Sequence, residues 1–240
     1  MDYVILDDVY KSYRRRYGAP TLRLQRARGQ AREVDDALKG CSLRVQSGEV
    51  VTILGTRNSG RSTLMSVIAG IYRPDHGSAN VHGRATGLVA MGAGFSGVLP
   101  VHACISLNAA YLGMSKKRLN DSMETILAFA GLSASSLGYP LREFPGSRRR
   151  QLAYALAIAS KPEVFLADGT VVIGKDDLAE RCFVELEALR DAGHALVLAS
   201  NRKDVARRLS DRAVVLDDGR IVFDGPVGPA LKTLRLLRRG

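Results

Sequence analysis

The chain has 240 residues, and 46% of them are hydrophobic, so it can bury a sizeable core as one large domain or two closely joined lobes. No apolar run approaches the roughly 18 residues of a membrane-spanning helix. The residues after Met1 lack the basic and apolar regions of a signal peptide. The 3 cysteines are too widely spaced for a disulfide framework or a metal site. These features predict a soluble protein of the cytosol.

The formal net charge is +11, which favours a polyanionic partner: a nucleotide, a nucleic acid or the anionic face of a membrane. The basic residues gather at 14–16, 23–32, 148–150 and 232–239. An arginine-rich solvated surface explains the same charge equally well. Because aromatic residues make up only 6% of the chain, base stacking has little support and no specific nucleic acid is expected.

Hydrophobic periodicity divides the chain into short strands and helices. The first part is predicted to contain strands at 3–8, 37–45, 49–54 and 78–81, a polar loop at 11–36, a helix at 62–70 and a loop-rich connector at 87–101. The rest is predicted to contain helices from 104 to about 137, at 151–160, 177–191 and 203–209, strands at 164–168 and 195–199, and a hairpin at 213–223. The helical spacing over 104–137 predicts a separate helical lobe. The basic tail at 227–239 is predicted to be a solvated terminal helix, with a helix lying on a membrane as the alternative.

A glycine-rich segment between a predicted strand and a predicted helix has the spacing of a phosphate-binding loop. It matches G-x-x-x-x-G-K-[ST] at every position except the cation and reads Gly55-Thr56-Arg57-Asn58-Ser59-Gly60-Arg61-Ser62. The glycines let backbone N–H groups turn toward an anion, and the helix N-terminus adds partial positive charge. Arg61 stands where a lysine is expected, and its planar guanidinium is not equivalent to a compact ammonium. The loop predicts nucleotide binding and leaves open whether the nucleotide is hydrolysed.

Two oxygen-bearing side chains are candidate ligands of Mg²⁺. Ser62 follows the cation of the loop, and Asp168 ends the apolar strand predicted at 164–168. A carboxylate at the carboxyl end of a parallel strand can hold the ion opposite a hydroxyl of the loop. An ordinary acid at a strand end is the alternative interpretation of Asp168. The pair predicts a Mg²⁺ site beside the bound nucleotide.

With these motifs in order, the chain resembles the ATP-binding subunits of ABC transporters over nearly its whole length. Within them it is similar to the branch that exports capsule, O-antigen and teichoic acid polysaccharides, through residues 89–95, 111–115, 152–157 and 210–221. The resemblance implies an α/β fold: a P-loop NTPase core with a mixed sheet, an N-terminal antiparallel β subdomain and an inserted α-helical lobe. It implies one nucleotide-binding domain over 1–240, in which 1–85 and 161–240 form the core and 86–160 form the connector and helical lobe.

The resemblance also assigns site residues. It gives an adenine-stacking role to Tyr13, for which a purely structural tyrosine is the alternative, and it extends the nucleotide-binding loop to Thr63. It aligns the family's Leu-Ser-Gly-Gly-Gln signature, which touches nucleotide on a partner subunit, with the residues Phe144, Pro145, Gly146, Ser147 and Arg148. Mg²⁺ is assigned to Ser62 and Asp168.

Several positions depart from the family's pattern around the terminal phosphate. They are Arg61 for the loop lysine, Ala90 for the connector glutamine or glutamate, Pro145 for the signature serine, Gly169 for the general-base glutamate, Lys175 for an aspartate, and Asn201 for the switch histidine. A glycine accepts no proton, and general-base assistance contributes roughly 10²–10⁴-fold. No catalytic residue is therefore assigned, and weak or absent hydrolysis is expected. Hydrolysis at a reduced rate through other groups is the alternative.

The resemblance implies a subunit on the inner face of the cell membrane. Its expected partners are an integral-membrane permease, docked through the helical lobe, and a second ATP-binding subunit in a homodimer or heterodimer. Two other functions stay open: a non-catalytic regulatory or scaffold protein, and a binder of nucleic acid or membrane surfaces through the arginines.

Overall fold

The computed structural model describes residues 1–14, 34–88, 95–168 and 177–238. The strands in these residues are β1 (Asp2–Arg14), β2 (Val34–Gln46), β3 (Val50–Gly55), β4 (His76–Val81), β5 (Ala85–Gly87), β6 (Val164–Asp168), β7 (Ala195–Ala199), β8 (Arg212–Asp217) and β9 (Arg220–Gly225). The helices are α1 (Arg61–Ile68), α2 (Val101–Tyr111), α3 (Lys116–Ala130), α4 (Gly146–Ala159), α5 (Asp177–Asp191), α6 (Lys203–Leu209) and α7 (Val227–Leu237).

The strands form two sheets. The larger sheet has the order β5-β6-β7-β3-β8-β9, and all neighbours in it are parallel except the β8–β9 hairpin. The smaller sheet has the order β2-β1-β4 and is antiparallel. The inner strands β3 and β7 are buried along their whole length, as parallel strands covered on both faces usually are. The structure confirms the predicted fold class, an α/β core with a mixed sheet, an antiparallel β subdomain and added helices.

The two faces of the larger sheet carry different hydrophobic clusters. On one face α1 and the smaller sheet pack together, through residues such as Leu64, Ile53 and Leu43. On the other face one continuous cluster joins α2, α3 and α4 to α5 and the sheet. The predicted helical lobe therefore shares its core with the rest of the molecule. The division of the chain at residues 86 and 160 stays a prediction.

Some predicted boundaries are wrong. Residues 11–14 and 34–36, predicted to be loop, belong to β1 and β2, because this antiparallel ribbon pairs Tyr13 with Asp35. Backbone hydrogen bonds hold these ends of the two strands together, although their sequences show no apolar pattern. The three-residue strand β5 was not predicted; it ends at Gly87, where the connector was expected to begin. Helix α4 begins at Gly146 and not at 151, since Pro145 precedes it with a backbone suited to a helix start.

The terminal helix α7 has its apolar face occupied by the sheet. Ala230, Leu231 and Leu234 are buried in a cluster with Leu54 of β3 and Val215 of β8. This packing agrees with a solvated terminal helix, because the apolar face is not free to enter a lipid surface. In the described parts of the chain, no helix combines the length and hydropathy that crossing a membrane requires.

Candidate nucleotide site

The sheet topology brings the predicted loop and acid to one edge. Strands β3, β6, β7 and β8 are parallel, so their carboxyl ends meet at the same edge of the larger sheet. The loop from Gly55 leaves β3 there, Asp168 ends β6, and Asn201 and Asp217 follow or end the two strands beside β3. Open α/β sheets bind ligands at this edge.

The shape of the loop depends on two glycines. Gly60 has φ +96°, and a Cβ there would lie 2.2 Å from the carbonyl oxygen of Ala37. A Cβ on Gly55 would lie 2.4 Å from the carbonyl oxygen of Leu216. No L side chain fits at either position, so the spacing recognised in the sequence reflects a steric requirement of the fold.

The loop leads directly into the N-terminus of α1. Its first turn carries no acidic side chain, and Gly60 at the N-cap offers no side-chain acceptor, so the first N–H groups of the helix remain available to an anion. The hydroxyl of Ser59 is 2% exposed and has no hydrogen-bond partner among the described residues. A buried hydroxyl without a described partner, two residues before α1, agrees with the predicted phosphate loop.

The predicted Mg²⁺ ligands are in direct contact. The hydroxyl of Ser62 donates to Oδ2 of Asp168 over 2.7 Å. A hydroxyl and a carboxylate are the hard oxygen ligands that Mg²⁺ takes when it also binds substrate phosphates. The residues present therefore fit the ion: Ser62 and Asp168 would hold it, and it would supply positive charge to offset the charge of nucleotide phosphates.

Arg61, the first residue of α1, lies near one negative and one positive side chain. Burial lowers the pKa of Arg61, the nearby Asp168 carboxylate raises this pKa, and the Arg238 guanidinium lowers it again. The side chain stays protonated at physiological pH, as arginines do in proteins. Arg238 follows the end of α7, so the terminal helix adds a second positive charge near the loop.

Two side-chain contacts tie the loop to neighbouring strands. The amide of Asn201 donates to the Gly55 carbonyl over 2.8 Å and accepts from the Gly55 N–H over 3.1 Å. The hydroxyl of Thr56 donates to Oδ1 of Asp217 over 2.6 Å. The sequence prediction missed the roles of Thr56 and Asp217; their only signal was the acidic turn of the predicted hairpin.

Tyr13 lies over the start of α1. Its hydroxyl donates to the Thr63 hydroxyl over 3.3 Å, and its ring meets the ring of Tyr72 edge-on at 5.7 Å between centroids. These contacts place Tyr13 beside the phosphate loop, and its two predicted interpretations, adenine stacking and a purely structural role, stay predictions.

The predicted signature region forms the beginning of α4. Pro145 is the N-cap and makes no side-chain cap hydrogen bond, while Gly146 and Ser147 open the helix. Phe144 packs against the hydrophobic cluster of the helices. Arg148 donates to the carbonyl of Gly131, which caps the end of α3. Pro145 and Ser147 are exposed, and the Arg148 side chain contacts the end of α3 in the same lobe.

Residues 38–172, more than half of the chain, match the family model described as ABC transporter. The chain belongs to the ABC transporter family.

Several relatives in this family have similar sequences. The ABC transporter protein AbcA of Aeromonas salmonicida is 32% identical over 80% of this chain and 62% of its own length. The O-antigen export system ATP-binding protein RfbB of Myxococcus xanthus is 30% identical over 91% of this chain and 52% of its own length. The teichoic acids export ATP-binding protein TagH of Listeria monocytogenes is 26% identical, covering 77% and 55%. The chain thus spans between about half and two-thirds of the length of these relatives.

Solved structures share the fold. A dimeric ATP-binding cassette in a post-hydrolysis state, bound to ADP and Pi, superposes with a TM-score of 0.74 at 20% identity, covering 93% of this chain and 98% of its own. An ATP binding subunit of an ABC transporter gives 0.72 at 18% identity, covering 98% and 94%. At such identities the likeness shows the fold alone, and this fold is the one predicted from the sequence.

Three positions of the ABC transporter pattern lie outside the described residues: Ala90 in the connector, Gly169 at the general-base position and Lys175 in the loop that follows. Of the departures, Arg61, Pro145 and Asn201 are described. The roles predicted for all of these residues, and for the loop itself, stay predictions.

Proposed function

We propose that this chain is the nucleotide-binding subunit of an ABC transporter that exports a cell-surface polysaccharide, and that its own hydrolysis of ATP is weak or absent. The observation that carries the binding role is the sterically required phosphate loop, with Ser62 and Asp168 in contact at its edge. The export role rests on relatives named for the export of O-antigen and teichoic acids. Mg-ATP is the proposed ligand.

Three described residues support impaired hydrolysis. Arg61 replaces the compact ammonium of a lysine with a broader cation that also faces Arg238. Pro145 offers neither a hydroxyl nor a backbone N–H at the N-cap of α4. Asn201 directs its amide into the backbone of Gly55. Each change removes a group that would stabilise charge on the terminal phosphate, and such groups typically contribute several kcal/mol to catalysis.

The proposed permease partner docks on the helical side of the molecule. A groove of about 390 Å³ lies between α3, α4 and α5. Its floor is apolar, with Ile126, Phe129 and Leu189, and its rim carries charged side chains, among them Asp121 and Lys161. A short amphipathic cytoplasmic segment of a membrane protein has the matching chemistry. The subunit would then act at the inner face of the membrane, as a homodimer or with a second ATP-binding subunit.

The decisive measurement is nucleotide binding and phosphate release by the purified protein, alone and with a permease encoded by a neighbouring gene. We expect Mg-ATP to bind and phosphate release to stay far below that of an active ABC ATPase. The double variant Arg61→Lys, Gly169→Glu, which leaves Asn201 in its contact with Gly55, should raise phosphate release if only the chemistry was lost. Turnover of the unaltered protein at an ordinary rate, about 1 per second or faster, would overturn the proposed impairment.

Docking has its own test. Thr125 is exposed on the groove, so Thr125→Arg should block it without disturbing the core. The matched control is Asn120→Arg, an exposed position of α3 that does not line the groove. We expect the first variant to abolish copurification with the permease and the second to retain it; equal retention would rule out this groove.

The second candidate is a non-catalytic regulatory or scaffold protein, favoured by the same three departures. It shares the binding site and differs in showing no phosphate release even with a permease. Membrane-surface binding through the tail has less support, because α7 buries Leu231 and Leu234 against the sheet.

A further inference from the structure

Asn201 lies where the backbone ladder between β3 and β7 ends. The two strands run parallel, with Ile53 opposite Ala199. The N–H of Ser200 extends the ladder by donating to the Ile53 carbonyl over 3.2 Å. β3 continues to Gly55, whereas β7 ends at Ala199. The next rung, opposite Gly55, would fall beyond the end of β7.

The side chain of Asn201 supplies this rung. Its Nδ2 donates to the Gly55 carbonyl over 2.8 Å, and its Oδ1 accepts from the Gly55 N–H over 3.1 Å. A carboxamide carries a donor and an acceptor side by side, as a peptide group does. It can therefore bind both backbone groups of one residue and act as a substitute peptide.

A histidine at this position does not reproduce the contact. The two ring nitrogens of an imidazole point away from each other on opposite sides of the ring, so only one of them reaches the groups of a single residue. The double contact is thus specific to the amide: it uses the oxygen and one N–H of Asn201, and the second N–H points away from Gly55.

The contact also fixes the first residue of the phosphate loop. Gly55 is buried and pairs with Leu216 of β8 on its other side. If the Asn201 amide turned toward a ligand, the Gly55 N–H and carbonyl would be left without this partner, and unmade hydrogen bonds of buried groups are costly. The amide is therefore held by the loop and is not free to turn toward the terminal phosphate.

We propose that Asn201 is a positioning residue that holds the start of the phosphate loop in its binding shape and makes no contact with the terminal phosphate of the nucleotide. This inference rests on the proposed function, since it assumes that a nucleotide binds. Asn201 then contributes equally to the affinity for ADP and for ATP.

The test compares Asn201→Leu with the unaltered chain. Leucine has nearly the same shape, adds no charge and removes both hydrogen bonds. Dissociation constants for Mg-ADP and Mg-ATP are measured by calorimetry, and the urea midpoint is measured without nucleotide. We expect both nucleotides to bind more weakly by the same factor, about five- to tenfold, as the loss of about 1 kcal/mol or slightly more implies. The midpoint should fall. Asn120→Leu, exposed on α3, is the matched control and should change neither quantity.

Each other result decides against a part of the proposal. A loss confined to ATP would show that Asn201 contacts the terminal phosphate and would overturn the inference while leaving the proposed function intact. Unchanged affinities and midpoint would refute the positioning role. If the unaltered chain bound neither nucleotide, the proposed function and the equal contribution to ADP and ATP would both fail, and the midpoint would decide whether Asn201 holds the loop.

Discussion

The phosphate loop and the signature segment both lie at the start of a helix, but the fold constrains them very differently. In the loop, Gly60 has φ +96°, and a Cβ there would lie 2.2 Å from a backbone oxygen. In the signature segment, the nearest atoms to a Cβ on Gly146 are ends of arginine side chains at 3.7 Å. The glycine of the loop is required by its surroundings, whereas the glycine of the signature segment is not.

The side chains show the same contrast. Thr56 and Asn201 tie the loop to the two strands beside β3 through partly buried contacts. Arg148 ties the signature segment to the end of α3 through an exposed contact. A loop that the fold needs for its own packing can persist after catalysis is lost. The presence of the loop is therefore no evidence for hydrolysis.

The largest expected effect breaks the loop at Gly60. Gly60→Ala should lower the free energy of unfolding by about 3 kcal/mol, because an alanine there is both strained at positive φ and overlapped with the Ala37 carbonyl. Gly146→Ala should leave the free energy of unfolding unchanged or raise it by about 0.5–1 kcal/mol, since alanine favours a helix. Urea unfolding of the two variants measures the difference.

The paired glycine variants also test the comparison itself. If the signature variant were as destabilised as the loop variant, the two segments would be equally constrained. The conclusion that the fold requires the glycine of the loop and not the glycine of the signature segment would then be wrong.

A smaller effect comes from the side-chain ties. Thr56→Val keeps the shape of the side chain and removes the hydrogen bond to Asp217, so we expect a loss of about 1–1.5 kcal/mol. Arg148→Gln removes an exposed contact with a helix end and should cost no more than about 0.5 kcal/mol. Urea midpoints check both values, and Mg-ADP binding should weaken only in Thr56→Val. A larger loss in Arg148→Gln would show that the signature segment contributes more to the fold than its exposure indicates.

The sequence predicted most of the larger sheet well, including the β8–β9 hairpin at its edge, and the polar ends of the β1–β2 ribbon in the smaller sheet poorly. Strands β3, β6 and β7 were predictable because their apolar runs are short and continuous, as in buried parallel strands. The outer halves of the β1–β2 ribbon were not, because polar residues there are held by backbone pairing. The start of α4 lies in a basic stretch with no apolar period that would mark it.

The residues of the site also differ in how well the sequence predicts them. The glycine loop and Asp168 were predictable because each has a local signal, a spacing or a strand end. The contact of Thr56 with Asp217 was not, since its partners lie 161 residues apart. The pairing of Asn201 with Gly55 spans 146 residues. Such contacts depend on strand order, which no local pattern contains.

The smallest effect concerns Asp75, which binds the two residues before Tyr13 in β1. The carboxylate of Asp75 accepts from the Lys11 ammonium over 2.7 Å and from the Ser12 N–H over 2.7 Å, directly before Tyr13. The Lys11 ammonium first, and then the Ser12 N–H, lower the pKa of Asp75 from 3.8 to about 2. A lowered folded-state pKa stabilises the fold above the unfolded value near 3.8, and this stabilisation is lost as the pH falls toward 2.

Because the Asp75 side chain is 36% exposed, solvent screening reduces its contribution to about 0.5–1 kcal/mol. Asp75→Asn should therefore be less stable than the unaltered chain by this amount at pH 7, and the difference should shrink between pH 4 and pH 2.5. Urea unfolding across this range measures it. Glu143→Gln neutralises an exposed acid beside the signature segment and is expected to change stability by less than about 0.5 kcal/mol at pH 7. If Asp75→Asn stayed less stable by the same amount at pH 2.5, the contact would act through the shape of the side chain and not through its charge. The charge of the Lys11–Asp75 ion pair would then contribute nothing to the stability of the fold.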